Sequence, residues 1–176
     1  MAFYSSSGNL VQSVSTHKGS RYVTTSTSFT DISGLSRCIT PKFSNSLIIV
    51  ICNMGACGTN DQFDNGQIMR IVRNVAGGGY SIFGSGVGDA DGSRQRVTMK
   101  GMGNAYNHDH MGGGLTMQVV DDPGYSLGQT LCYKVQVACQ DASRSFVLNG
   151  NGVNINNNAV HQARSCSTLV LQEIAQ

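Results

Sequence analysis

Charge is scarce in this chain. Charged residues make up 12% of its 176 positions, about half the usual share, and Glu173 is the single glutamate. Helices draw on Ala, Glu, Lys and Leu, so a chain poor in Glu and rich in Gly, Ser, Thr and Asn is predicted to be all-β. No run approaches the roughly 20 apolar residues of a membrane-spanning helix, and no membrane insertion is expected. The opening MAFYSSSGNLVQSV has no basic stretch followed by a hydrophobic one, the succession that makes a secretory signal. Synthesis and folding in a cytoplasm follow. The basic residues are scattered from Lys18 to Arg164 and the formal net charge is only +2, so no nucleic-acid partner is expected. There is no G-x-S-x-G elbow and no H-E-x-x-H helix, and the aspartates that could act as paired acids sit in turns, so the chain reads as non-enzymatic. The six cysteines show no C-x-x-C spacing, which argues against a zinc or dithiol redox site.

What is present is 40% hydrophobic residues in short runs between Gly, Asn and Pro signals. The length suits one domain with a sizeable core, assigned to residues 10–176, with residues 1–9 as an N-terminal arm around Phe3 and Tyr4. Strands are predicted at Leu10–Thr16, from Tyr22 with a turn at Asp31 and Gly34 and a second run to Thr40, and at Leu47–Ile51. Pro41 breaks the pairing. A loop is expected over Asn53–Gly66, then strands at Gln67–Val75, Arg94–Lys100, Leu115–Val120, Gln129–Cys139, Ser145–Leu148 and Thr168–Ile174. Short strands with no helical period suggest an antiparallel β-sandwich or a barrel, and their number, about eight to ten, is the size of a jelly roll, the sandwich expected here.

Alternation along LCYKVQV sets Leu131, Tyr133, Val135 and Val137 on one face and Cys132, Lys134 and Gln136 on the other. Cys132 is therefore the exposed or cross-linking thiol, while Cys52 and Cys57 bracket a predicted turn where bridging stays open. In LIIVIC, Val50 and Cys52 lie opposite Leu47, Ile49 and Ile51. One sheet of a sandwich buries only one face in its own core. The second face, or the arm, is predicted to pack against a neighbour in a homotrimer.

The series STSFTDISGLSRCITPKFSNSLIIVI, IMRIVR, GDADGSRQRVTM, LCYKVQV and TLVLQEIA, spanning about residues 10–175, resembles a β-module of tail-fibre and other virion structural proteins in tailed phages, marine and cyanobacterial ones especially. The resemblance implies a jelly-roll-like, trimeric, non-enzymatic component of the virion exterior, made in the host bacterial cytoplasm, most simply in the tail-fibre apparatus that contacts the host. No long shaft segment precedes the module, so it is expected to dock on another virion protein, in the tail fibre or baseplate or on the major capsid protein. Capsid decoration is the alternative, and hydrolysis of host polysaccharide a remote one.

His108 and His110 point the same way in an extended segment. Three such pairs on a trimer axis would offer six imidazoles to a metal ion, the one cofactor envisaged, or they are simply solvated beside Asp109. Asp89 and Asp91 precede Arg94 and Arg96, and an Asp–Arg pairing that pins this loop is the expected arrangement. Tyr80, Phe83, Tyr106 and Tyr125 lie in or near loops, where aromatics stack on sugars of a host surface glycan or pack at the rim of the fold. Tyr80, Asp89, Arg94, Arg96, Tyr106, His108, His110 and Tyr125 are the candidate interface or recognition residues.

Overall fold

The computed structural model describes residues 8–59, 67–101, 113–152 and 163–176. Ten strands lie among the described residues: β1 (Asn9–Lys18), β2 (Tyr22–Thr24), β3 (Thr30–Ile39), β4 (Leu47–Thr59), β5 (Ile68–Val75), β6 (Met99–Lys100), β7 (Gly113–Asp121), β8 (Leu131–Ala138), β9 (Phe146–Leu148) and β10 (Ser167–Ala175). All their pairings are antiparallel. With the short β2 and β9 set aside, the first strand pairs with the last, β3 with β8, β4 with β7 and β5 with β6. This nested pairing is that of a long hairpin rolled up, and it makes the β-sandwich a jelly roll. One sheet runs β1-β10-β4-β7 and the other β3-β8-β5-β6. The length of β4 lets its edge opposite β7 hold β10 along Leu47–Asn53 and then β9 along Cys57–Thr59.

The sequence periodicity positions the core. Ile48, Val50, Cys52 and Met54 of β4, Leu169 and Leu171 of β10, and Met117 and Val119 of β7 face inward and are buried. They meet Leu131, Tyr133, Val135 and Val137 of β8 and Met69 and Ile71 of β5. As expected, Lys134 and Gln136 alternate to the outside of β8; Arg70 lies on the outside of β5.

One polar residue fixes the turn between β3 and β4. The single glutamate, Glu173, is wholly buried. Its Oε1 accepts hydrogen bonds from the amides of Lys42 (2.8 Å) and Phe43 (3.1 Å) and from Ser46 Oγ (2.8 Å), and its Oε2 accepts one from Gln12 Nε2 (2.6 Å). The carboxylate thus closes the turn that Pro41 opens between β3 and β4.

Several expectations are corrected. The turn at Asp31 and Gly34 is a bulge inside β3, with Gly34 at φ 85° taking the left-handed conformation the excursion needs. The segment Asn53–Thr59 is strand rather than loop, because the ladder resumes beyond a bulge at Gly55 and Ala56, whose amides bond the hydroxyls of Ser167 (3.1 Å) and Ser165 (2.7 Å). Cys52 and Cys57 therefore do not bridge. Both point into the core as free thiols, and burial pushes their pKa values up to about 12. Cys132 does cross-link, to Cys38 directly opposite on β3. Strand β6 has only two residues, since Arg94–Val97 make no ladder with β5.

Candidate functional site

The outsides of the two sheets differ in chemistry. On the β1-β10-β4-β7 sheet, register and alternation place Leu10, Ile174 and Leu47 in one row, Ser13, Gln172, Ile49 and Val120 in the next, and Ser15, Val170, Ile51 and Gln118 in a third. His17, Thr168, Asn53 and Thr116 follow. None of these residues is Asp, Glu, Lys or Arg. Leu10 and Val120 are 58% and 46% exposed, and Leu47, Ile49, Ile51, Val170 and Ile174 are half-buried. Interspersed charges of both signs and the absence of contiguous apolar patches keep a surface from associating.

The β3-β8-β5-β6 sheet carries a chain of touching polar and aromatic side chains instead. The Arg70 guanidinium lies 3.7 Å over the Phe29 ring, and its Nε donates to Gln136 Oε1 (2.8 Å). Gln136 Nε2 donates to Asp31 Oδ1 (2.8 Å), Lys134 Nζ donates to Asp31 Oδ2 (2.7 Å), and the same ammonium sits 3.9 Å over the Tyr80 ring. Partial burial alone would raise the Asp31 carboxyl, but the hydrogen bonds from Lys134 and Gln136 and the charge of Lys134 outweigh it and hold its pKa below the ordinary value. Desolvation lowers the pKa of Arg70. A cavity of about 350 Å³ opens between Asp31, Ser33, Ser36, Lys134 and Tyr80.

The predicted site residues with described positions do not converge. Tyr106, His108 and His110 lie outside the described residues, and the proposed trimer-axis metal pair with them. Among the described residues no group of three or more His, Cys, Asp or Glu is placed to hold a metal ion. Asp91 pairs with Arg94 through Oδ2 and NH1, and Arg96 Nε donates to the Gly88 carbonyl (2.7 Å), so this loop is pinned within the chain. Both members of the Asp91–Arg94 pair are about three-quarters exposed, which makes its contribution small. Asp89 is exposed beside them. Arg94 lines a separate cavity of about 410 Å³ with Thr27, Lys100 and Gln140.

Tyr125 serves the fold. Its hydroxyl donates to the Phe43 carbonyl (2.6 Å) and accepts from the Ser46 amide (2.9 Å), on the turn that Glu173 also holds. Phe83 packs edge-on against Tyr133 in the core. Of the proposed recognition aromatics with described positions, Tyr80 stands at a cavity. Its partners Asp31, Lys134 and Gln136 were missed as site residues. The alternation of LCYKVQV did put Lys134 and Gln136 on an outer face, and that was the available signal.

No family model and no curated protein matches the chain.

Proposed function

We propose that this protein is a non-enzymatic structural module of a tailed-phage virion, assembled as a homotrimer on the particle exterior within the tail-fibre apparatus. The observation that carries the self-association is the uncharged outer face of the β1-β10-β4-β7 sheet, where seven aliphatic residues lie among Ser, Thr, Gln and Asn. Removing the remaining exposure of such a side chain contributes about 1 kcal/mol. Association costs roughly 4–15 kcal/mol in lost freedom, so the aliphatic positions must be buried together, and in a threefold ring each copy of this face would pack one part against one neighbour and another part against the next. Threefold symmetry and the tail location come from the resemblance to phage fibre modules, with which a jelly roll agrees.

Light scattering tests the assembly. The expected mass is three times the 18.6 kDa of the chain, and Val120→Lys, at a position already exposed in the single subunit, should reduce it to one. A monomeric wild-type protein at tens of micromolar would overturn the assembly. Antibody labelling of intact particles tests the location: label at the tail is expected, and label across the head lattice would replace this role with capsid decoration.

A further inference from the structure

Strand β3 leaves the ladder in the middle of its pairing with β8. Asp31 lies opposite Gln136 and Ser36 opposite Lys134, so β3 has four residues, Ile32–Leu35, where β8 has only Val135. Ile32 and Leu35 turn inward and are buried at 2% and 0% exposure, while Ser33 and Gly34 stay at the surface. The excursion hollows the sheet beside Lys134, and the 350 Å³ cavity is the result. Its volume falls within the range of about 300–1,000 Å³ typical of small-molecule sites. Bulges of this kind recur next to binding sites because they re-aim side chains.

The groups around the cavity are held before any ligand arrives. Lys134 is fixed between Asp31 and the Tyr80 ring, and Asp31 is fixed from the other side by Gln136. Asp31 and Lys134 cancel in charge, so nothing in the cavity selects a strongly charged ligand. The free hydrogen-bonding capacity is nevertheless high. Each Asp31 oxygen accepts one bond and keeps a further lone pair, and the Lys134 ammonium gives one of its three protons to Asp31. The hydroxyls of Ser33, Ser36 and Tyr80 have no hydrogen-bond partner among the described residues. Tyr80 is 41% exposed and presents ring surface as well. A paired acceptor and donor, a fringe of hydroxyls and an aromatic ring match the adjacent hydroxyls and the C–H face of a sugar.

We propose that this cavity binds a neutral pyranose sugar, with Asp31 and Lys134 bonding neighbouring hydroxyls and Tyr80 packing against the ring. This deepens the reading of the module as an exterior component that meets a host surface. A single sugar ring should bind with a dissociation constant on the order of 1 mM, and three sites on one trimer would raise the apparent affinity on a multivalent surface.

Saturation-transfer NMR with methyl glycosides of glucose, galactose, mannose and N-acetylglucosamine, titrated to tens of millimolar against the wild-type protein, tests it. At least one glycoside is expected to bind. Tyr80→Ala and Asp31→Asn should each weaken it by at least about tenfold, while Gln140→Ala, in the other cavity, leaves it unchanged. Amide shifts confined to β3, β8 and the residues around Tyr80 would locate the site even if one variant folded poorly. If no glycoside binds, or binding survives Tyr80→Ala at full strength, the inference is wrong and the bulge serves only to blunt an edge strand. A protein that is trimeric by light scattering and binds no sugar would overturn this inference alone and leave the assembly standing.

Discussion

Arg73 reaches from one sheet to the other and sets a single guanidinium nitrogen 2.7 and 2.8 Å from the two carboxylate oxygens of Asp121. Tyr133 donates to the same carboxylate at 2.7 Å, and the Phe83 ring lies 5.2 Å from the guanidinium. Asp121 is 2% exposed, so its charge depends on these partners. The contact ties the end of β7 to β5 and β8, where the jelly roll has no covalent link between its sheets.

Replacing Asp121 by Ala leaves the Arg73 cation without its partner in a mostly buried place. A loss of about 3 kcal/mol is expected, read as a lower midpoint in urea unfolding. The pair Arg73→Met and Asp121→Leu should recover the part of that loss that lies in an uncompensated charge, while the buried Tyr133 hydroxyl still lacks its acceptor. Equal destabilisation by the single and the double variants would show that shape and not charge is the contribution.

The disulfide acts over a longer reach. Cys38 and Cys132 are 94 residues apart in sequence, and closing so long a loop restricts the unfolded chain, with a typical stabilisation of about 2–4 kcal/mol. The bridge lies on the outer face of its sheet, so a mild reductant should reach it without prior unfolding. Thermal melting should fall on reduction, and the double variant Cys38→Ser, Cys132→Ser should melt at the temperature of the reduced wild type and no longer respond to reductant. A wild-type melting point unmoved by complete reduction would contradict this.

The remaining four cysteines should divide sharply in reactivity. Burial holds Cys52 and Cys57 near a pKa of about 12 and raises Cys139, whereas Cys166 is exposed. Thiolate is the reactive form. Iodoacetamide at mildly alkaline pH is expected to modify Cys166 alone in the native protein, by peptide mass spectrometry, and all four only after unfolding.

Strand identity was legible where side chains alternate. LCYKVQV displays its buried and outer faces directly, and LIIVIC does the same once Val50 and Cys52 are known to point inward. Local sequence does not distinguish a glycine that ends a strand from one that bulges it, because Gly34 at positive φ serves either. The Asp31 cluster was not legible for a different reason. Phe29, Arg70, Tyr80 and Lys134 are brought together only by the register of β3 and β5 on β8, and that register follows from the nested pairing of the whole roll. Glu173 shows the same limit: a lone glutamate in an apolar strand became intelligible only when the amides of Lys42 and Phe43 were found bonded to it.

Glu173 makes the fold sensitive to acid. Its burial alone would raise its pKa, but the hydrogen bonds from Gln12, Ser46, Phe43 and Lys42 prevail and hold it below the ordinary carboxylate value. A carboxyl whose folded pKa is depressed contributes stability that is complete above its unfolded pKa, near 4.3 for glutamate, and is lost as pH falls through the folded value. The wild-type melting temperature should therefore be level from neutral pH down to about pH 5 and decline below it. In Glu173→Gln the neutral amide keeps one acceptor oxygen but loses the charge, so the melting temperature at pH 7 should be lower and its fall in acid shallower. Other carboxylates, Asp31 among them with a pKa lowered in the same direction, titrate in both proteins. The difference between the two melting curves thus isolates Glu173, and it should shrink as pH is lowered. Two curves that stay parallel from pH 7 into acid would show that the buried carboxylate contributes no net charge-dependent stability.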